Sequence, residues 1–155
     1  MTQLDIDFDD PNKPEVAQLL QEHLDYANKW SVYEAVYAFG ASRLSSEDIA
    51  FFSARRAGEL VAVGALLHLD PEHAEIKSMH TIASARGQGI GKAMLEHLVT
   101  QARCQGYVRV SLETGTGDAF APARSLYQSC GFEVCAPFGV YKVQEDSVCM
   151  TRHLS

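Results

Sequence analysis

Hydrophobic and polar residues alternate at the start of the chain, where Leu4, Ile6 and Phe8 are each followed by an aspartate. A period of two residues is typical of a half-buried strand. Prolines at positions 11 and 14 interrupt this pattern. From Pro14 onward the apolar residues recur at helical spacing, which predicts an amphipathic helix. The next segment, 30–46, is rich in aromatic residues, and we predict a second short helix or an aromatic-rich loop there.

Three strands are predicted next, over residues 49–54, 60–69 and 74–81. Each of these segments is rich in strand-forming residues and ends at a group of turn-forming residues. The connections between them are too short for a crossover, so neighbouring strands should pair in the antiparallel direction.

The second half of the chain alternates between helical and strand patterns. Residues 90–105 carry one apolar stripe, and Gly106 follows them as a suitable left-handed helix end. Residues 107–114 then alternate as a strand, which should lie parallel to the strand before the helix. The remaining elements are predicted as a helix over 122–131 and strands over 132–135 and 147–152.

Composition excludes several classes of function. The 155 residues carry a net charge of −7, which argues against a general nucleic-acid or anionic-membrane surface. No apolar run is long enough to span a bilayer, and no signal peptide is recognisable. The four cysteines lack a CxxC spacing and the six histidines lack a metal-ligand spacing, so we expect reduced thiols, no metal site and a cytoplasmic location.

The strongest local signal is a glycine-rich turn between the strand 74–81 and the helix 90–105. Gly87, Gly89 and Gly91 stand at alternate positions, with Arg86 before them and Lys92 after them. Glycines let a ligand approach the backbone closely, and a helix start offers unpaired N–H groups to an anion. The turn is therefore predicted to bind an anionic ligand.

Two well-known glycine motifs do not fit this turn. A phosphate loop requires Ser or Thr where Ala93 stands and a glycine where Arg86 stands. A dinucleotide fingerprint requires a third glycine where Lys92 stands. What remains is the string Arg-x-x-Gly-x-Gly over residues 86–91.

This string resembles the coenzyme A pyrophosphate loop of the GNAT superfamily of N-acetyltransferases. A second segment, 123–132, is similar to that superfamily's Ala-x-x-Leu-Tyr-x-x-x-Gly-Phe sequence. The order of predicted elements also matches over essentially the whole chain, with local likeness to small bacterial acetyltransferases. The resemblance implies a single α/β (α+β) domain over 1–155. It implies a mixed, mostly antiparallel sheet of about seven strands, splayed between strands 4 and 5 and flanked by about four helices.

The resemblance further implies that acetyl-CoA is the cofactor. The implied cofactor-binding residues lie on the strand end, in the glycine turn and on the helix of the second motif. They are Met79, His80, Thr81, Arg86, Gly87, Gln88, Gly89, Ile90, Gly91, Lys92, Ala123 and Tyr127.

The implied reaction is transfer of an acetyl group to a primary amine of a small molecule or peptide by direct attack in a ternary complex. Tyr127 is implied as the acid that protonates the departing thiolate. Three residues are candidates for the base, and the sequence does not choose among Glu75, Glu113 and His80. The chain departs from the family pattern at Phe120, where relatives often carry a cofactor-contacting asparagine.

The acceptor pocket is expected from the variable segments 30–37, 114–118 and 138–141. Tyr33, Glu34 and Tyr37 favour a small cationic or aromatic amine, and a homodimer is the default assembly that the resemblance implies. Two other functions stay open at this point. One is a sensor that binds acyl-CoA without transfer, and the other is a nucleotide-phosphate enzyme that uses the glycine turn.

Overall fold

The computed structural model describes residues 3–31 and 37–154. Their strands form one seven-stranded sheet. The strands are β1 (Leu4–Phe8), β2 (Ile49–Arg56), β3 (Glu59–Asp70), β4 (His73–Thr81), β5 (Arg109–Gly115), β6 (Glu133–Cys135) and β7 (Ser147–His153). The α-helices within these ranges are α1 (Pro14–Trp30), α2 (Ala41–Leu44), α3 (Ile90–Cys104) and α4 (Ala121–Ser129).

The strand order is β1-β2-β3-β4-β5-β7-β6. Strands β1 to β4 pair antiparallel, as the short connections predicted. Helix α3 then carries the chain across the sheet, so β5 pairs parallel to β4, which confirms that prediction. Strand β7 inserts between β5 and β6 and pairs antiparallel with both. This insertion was not predicted from the pattern of the sequence.

The sheet opens between β4 and β5, as the fold resemblance implied. Their pairing begins at His73 and Arg109 and ends at Glu75 and Ser111, although β4 continues to Thr81. The backbone of the second half of β4 therefore lacks ladder partners on the β5 side. Buried backbone N–H and C=O groups need hydrogen-bond partners, so this edge of β4 leaves such groups available to a ligand.

Hydrophobic clusters cover both faces of the sheet. On one face, α3 contributes Met94, Leu95 and Leu98, which are fully buried. On the other face, α1 packs Val16 and Leu20 against β2 and β3. Burying one such side chain is worth about 1.5 to 3 kcal/mol, so the two helices hold the open sheet in place from both sides.

From residue 49 onward, the helix and strand boundaries differ from the predicted ones by at most two residues. One such difference lies at the hairpin between β2 and β3, where the predicted strands 49–54 and 60–69 left residues 55–59 as the turn. Ala57 and Gly58 both have positive φ angles, 53° and 80°. Two consecutive residues of this kind form the tight turn that matches strand twist, so the ladder continues to Arg56 and Glu59.

Candidate functional site

A cavity of about 520 Å³ opens where β4 and β5 separate. The two strands form its floor, the glycine turn and the start of α3 form one end, and α4 forms a side. Tyr37 and Tyr141 line the opposite end. The cavity therefore brings together both motifs that the sequence analysis singled out.

The glycine turn has the backbone geometry of an anion site. Gly87 and Gly89 have φ angles of 77° and 82°, and a Cβ added at either glycine would meet no atom within 4 Å. Gly89 is the N-cap of α3, and within the described ranges no side chain caps this helix start. The first N–H groups of the helix are thus left to a ligand, with Arg86 and Lys92 exposed on either side.

The side chains of Arg86, before the turn, and of Gln88, within it, are arranged differently. Arg86 donates from Nε to the Thr81 carbonyl at 3.2 Å, and its guanidinium lies 5.9 Å from the Tyr26 ring centroid. The side chain of Gln88 is held outside the cavity, because its Oε1 accepts a 2.6 Å hydrogen bond from Arg56. For Gln88 the backbone, rather than the side chain, is available to a ligand.

A β-bulge in β4 changes the direction of the strand beside the opening between β4 and β5. Val63 pairs with His80 while Ala65 pairs with Lys77, so two residues of β4 oppose Gly64 alone. Ser78 takes a φ of 59° there. Its buried hydroxyl has no hydrogen-bond partner among the residues that the structure describes. A bulge changes the direction of the neighbouring backbone and side chains, and this bulge lies in the cavity floor.

His80 is joined to His23 of α1. Their Nδ1 atoms are 3.1 Å apart, so one ring donates and the other accepts. Burial lowers the pKa of His23 to about 3, and His80 and Lys77 add to this effect. Burial and the nearby Arg86 charge lower the pKa of His80 to about 4. Both rings are therefore neutral near pH 7, and the bond ties α1 to the cavity floor.

The second motif lies on α4, beside the glycine turn. Ala123 and Tyr127 line the cavity, and Tyr127 is 9% exposed. A Cβ on Gly91 would lie 3.3 Å from Leu126, so α4 packs tightly against the start of α3. This contact places the two motifs at one end of the cavity.

Phe120, which departs from the family pattern, is a packing residue in the cavity wall. Its ring meets the Tyr26 ring edge-on at 5.8 Å. A Cβ on Gly115 would come within 2.3 Å of the Phe120 ring, so only glycine fits at the end of β5. The Tyr26 hydroxyl donates to the carbonyl of Ala119 at 2.7 Å. Phe120 therefore packs against Tyr26 and the end of β5 and offers no polar side-chain group to a ligand.

Glu75 lies at the opposite end of the cavity from the glycine turn and is 3% exposed. The Tyr141 hydroxyl donates a short hydrogen bond to its Oε2. The Lys77 ammonium lies 3.5 Å from the same oxygen. Burial raises the pKa of Glu75, and the Glu113 charge adds to this, while Lys77 and Tyr141 oppose it.

Glu113 lines the same cavity from β5. Its Oε2 accepts a 2.5 Å hydrogen bond from the Ser147 hydroxyl of β7. The structure thus brings all four candidate catalytic residues, Tyr127, Glu75, Glu113 and His80, to one cavity.

The predicted acceptor segments contribute unequally. Tyr37, Thr114 and Tyr141 line the cavity. Trp30 is instead 51% exposed and stacks under the Lys29 ammonium. Tyr33 and Glu34 lie outside the described residues, so the preference assigned to them stays a prediction.

Sequence reasoning missed Lys77, His23 and Tyr26 as parts of this site. Lys77 had a readable signal, because a charged residue stands between apolar ones on a strand with period two, on the same face as Glu75. His23 and Tyr26 had no such signal, because their role depends on how α1 crosses the sheet.

Among the described residues, no cluster of His, Cys, Asp or Glu side chains is arranged to hold a metal ion. Within the same ranges, each helix is too short or too polar to cross a membrane.

Comparison with known proteins identifies the family. The model of the acetyltransferase (GNAT) family matches residues 14–132. The uncharacterized N-acetyltransferase YsnE of Bacillus subtilis is 43% identical over 149 residues, which cover 96% of this chain and 99% of that protein. The IAA acetyltransferase of Azospirillum brasilense is 33% identical over 156 residues, covering 99% of this chain and 100% of that protein.

A solved structure of a Bacillus subtilis acetyltransferase in complex with CoA shares the fold, with a TM-score of 0.73 at 21% identity. The match covers 99% of this chain and 100% of that one. With the family model matched over most of its length and two relatives aligned nearly end to end, this chain belongs to the acetyltransferase (GNAT) family, in which acetyl-CoA-dependent acetyl transfer is general.

Proposed function

We propose that this protein transfers an acetyl group from acetyl-CoA to a primary amine of a small molecule or peptide, by direct attack in a ternary complex. The observation that carries this proposal is the shared cavity. It joins an uncapped helix start behind two open glycines to a splayed strand edge, with Glu75 and Tyr127 on its walls.

The residues present fit acetyl-CoA. Open space at Gly87 and Gly89, next to Arg86 and Lys92, suits a pyrophosphate held by backbone N–H groups. The unpaired edge of β4 and the orphaned Ser78 hydroxyl suit the amide groups of a pantetheine arm. The proposed cofactor-binding residues are Met79, His80, Thr81, Arg86, Gly87, Gln88, Gly89, Ile90, Gly91, Lys92, Ala123 and Tyr127.

Acetyl-CoA supplies an acetyl group activated as a thioester. The chain's contribution is to position this group and to handle protons around it. Backbone N–H groups beside the β4 bulge, around Thr81, are suited to stabilise negative charge on a carbonyl oxygen. Tyr127, at the same end as the glycine turn, is suited to donate its phenolic proton to a departing thiolate.

Glu75 is our choice among the three candidate bases. A raised pKa brings its carboxylate closer to the pKa of an amine, which favours proton transfer near neutral pH. His80 is a weaker base because its pKa is lowered to about 4, and its Nδ1 is engaged with His23. Glu113 is half-buried and held by Ser147. We assign it to binding the positive charge of the incoming amine.

The acceptor end is walled by aromatic residues. The Tyr37 and Tyr141 rings meet edge-on at 5.2 Å, and Phe39 also lines the cavity there. Together with the carboxylates of Glu75 and Glu113, these rings favour a small amine that carries an aromatic or extended apolar group.

Calorimetric titration with acetyl-CoA, with ATP and NAD as controls, tests the first half of the proposal. We expect binding of acetyl-CoA and none of the controls. Release of free thiol is then measured across a panel of amines, including phenethylamine, spermidine and a lysine-containing peptide. Binding without thiol release for every amine would favour a sensor, and no binding of acetyl-CoA would remove the transferase assignment.

A further inference from the structure

The acceptor end of the cavity contains a lysine ammonium group that takes no part in the proposed reaction. Lys77 lies two residues after Glu75 on β4, and its side chain is 9% exposed. A carboxylate as enclosed as that of Glu75 costs several kcal/mol when left without a charged partner. Lys77 is the cation nearest to it among the described residues, at 3.5 Å.

Lys77 also joins three parts of the chain. Its Nζ donates to the Tyr141 hydroxyl at 2.9 Å, in the loop between β6 and β7. It donates to the Tyr37 carbonyl at 2.9 Å, in the segment before α2. The ammonium also lies 4.3 Å from the centroid of the Phe39 ring, within range of a cation–π contact. Both of these segments are walls of the acceptor end.

The Tyr141 hydroxyl links the two charges. A phenol has one proton to donate and lone pairs to accept with. Here the proton is given to Glu75, and a lone pair receives Lys77. Because Lys77 already donates to the phenol oxygen, the arrangement suits an ionised Glu75, which accepts the phenolic proton.

We propose that Lys77 is a positioning residue which, directly and through Tyr141, keeps the buried Glu75 ionised and fixed at the acceptor end of the cavity. The proposal rests on the proposed function for its catalytic meaning. It goes further in assigning the ionisation of the base to a lysine that contacts neither reacting group.

The sign of the effect follows from the charged and titratable groups that face Glu75 within residues 3–31 and 37–154. Lys77 on β4 and Tyr141 in the loop stabilise the charged form, and Glu113 on β5 opposes it. Cys149 on β7 also faces the two carboxylates, but burial raises its pKa to about 11, so it is neutral. Removing the Lys77 charge should therefore raise the pKa of Glu75 further.

Carbon-13 NMR titration of the ligand-free protein measures this directly, with the Glu75 carboxyl signal assigned by its loss in Glu75→Gln. We expect Lys77→Met, which preserves the length of the side chain, to raise the titration midpoint of Glu75 by about 1 to 3 pH units. Tyr141→Phe should move it in the same direction by a smaller amount. Lys29→Met removes an exposed lysine remote from the cavity and should leave the midpoint unchanged.

Kinetic measurements then test whether the titration midpoint of Glu75 controls turnover. With phenethylamine as the probe acceptor, the acidic limb of kcat/KM should move to higher pH in Lys77→Met, while the Kd for acetyl-CoA stays within about twofold. Lys77→Arg, which keeps the charge, should restore most of the wild-type profile.

An unmoved midpoint in Lys77→Met would overturn the proposal, and so would an equal loss of acetyl-CoA affinity. If Lys77→Met does not fold, Tyr141→Phe decides in the same way. Failure of the proposed function looks different, because wild-type protein would then release no thiol with any amine even though the NMR midpoint still depends on Lys77.

Discussion

The two ends of the cavity differ in the kind of group that forms them, backbone at one end and side chains at the other. The glycine-turn end consists of backbone: Gly87 and Gly89 adopt left-handed conformations, and an uncapped helix start faces the opening. The acceptor end consists of buried side chains, in which Glu75, Tyr141 and Lys77 satisfy one another. A backbone site needs one short stretch of sequence, whereas a side-chain network needs residues from several elements. The first is therefore readable in the chain, and the second appears on folding.

The largest effect is expected at the acceptor end. Glu75→Gln should lower kcat/KM for the amine by about 10²- to 10⁴-fold, the usual contribution of a general base, while acetyl-CoA still binds. Thiol-release kinetics and calorimetry measure the two quantities. The control is Glu59→Gln, an exposed position at the β2–β3 turn. A parallel loss of acetyl-CoA affinity would mean that the two ends are not separable.

The glycine-turn end should respond in the opposite way. Gly89→Val forces a β-branched residue into a left-handed conformation, which costs about 1 to 3 kcal/mol. We expect the Kd for acetyl-CoA to rise by about 5- to 150-fold.

A matched control is available at the far end of the same helix. Gly106 has a φ of 90° and equally open surroundings, but it is not part of the cavity. Gly106→Val should lower the melting temperature without changing acetyl-CoA affinity. Equal loss of affinity in both variants would indicate general strain rather than a ligand contact.

The histidine pair between the two ends predicts a pH dependence of stability. Both pKa values are lowered on folding, His80 to about 4 and His23 to about 3, whereas an unfolded histidine titrates near 6.5. The unfolded state binds more protons in this window. Stability should therefore fall as the pH drops from about 6.5 to 4, by on the order of several kcal/mol.

Urea unfolding at several pH values measures this slope. His23→Gln should flatten it, whereas His153→Gln, at an exposed position on β7, should leave it unchanged. If the pH dependence of stability is the same in the wild type and both variants, the His23–His80 pair is not its source.

The smallest effect is expected at Gln88. Its side chain is bonded to Arg56 outside the cavity, so Gln88→Ala should change the acetyl-CoA Kd by about twofold or less. Calorimetric titration checks this against Gly89→Val. A large loss in Gln88→Ala would show that this end also relies on side chains.

Much of the fold could be predicted because its signals are local. The alternation of β1, the stripe of α3 and the short hairpin connections each depend on neighbouring residues, and all agree with the structure. The end of the β2 ladder was missed because Ala57 takes a positive φ, which residues other than glycine seldom do. The insertion of β7 beside β5 was missed because pairing between distant strands leaves no local pattern.

The sequence by itself determined the glycine turn, the second motif over residues 123–132 and the family. Each of them depends on a short stretch of consecutive residues, whose backbone preferences act locally. Only the tertiary structure decided that Lys77, Tyr37 and Tyr141 meet at Glu75, and that His23 reaches His80. These contacts join residues from separate elements, and burial is what gives them their energy. A buried charge or ring nitrogen acquires its chemical character from neighbours that folding supplies.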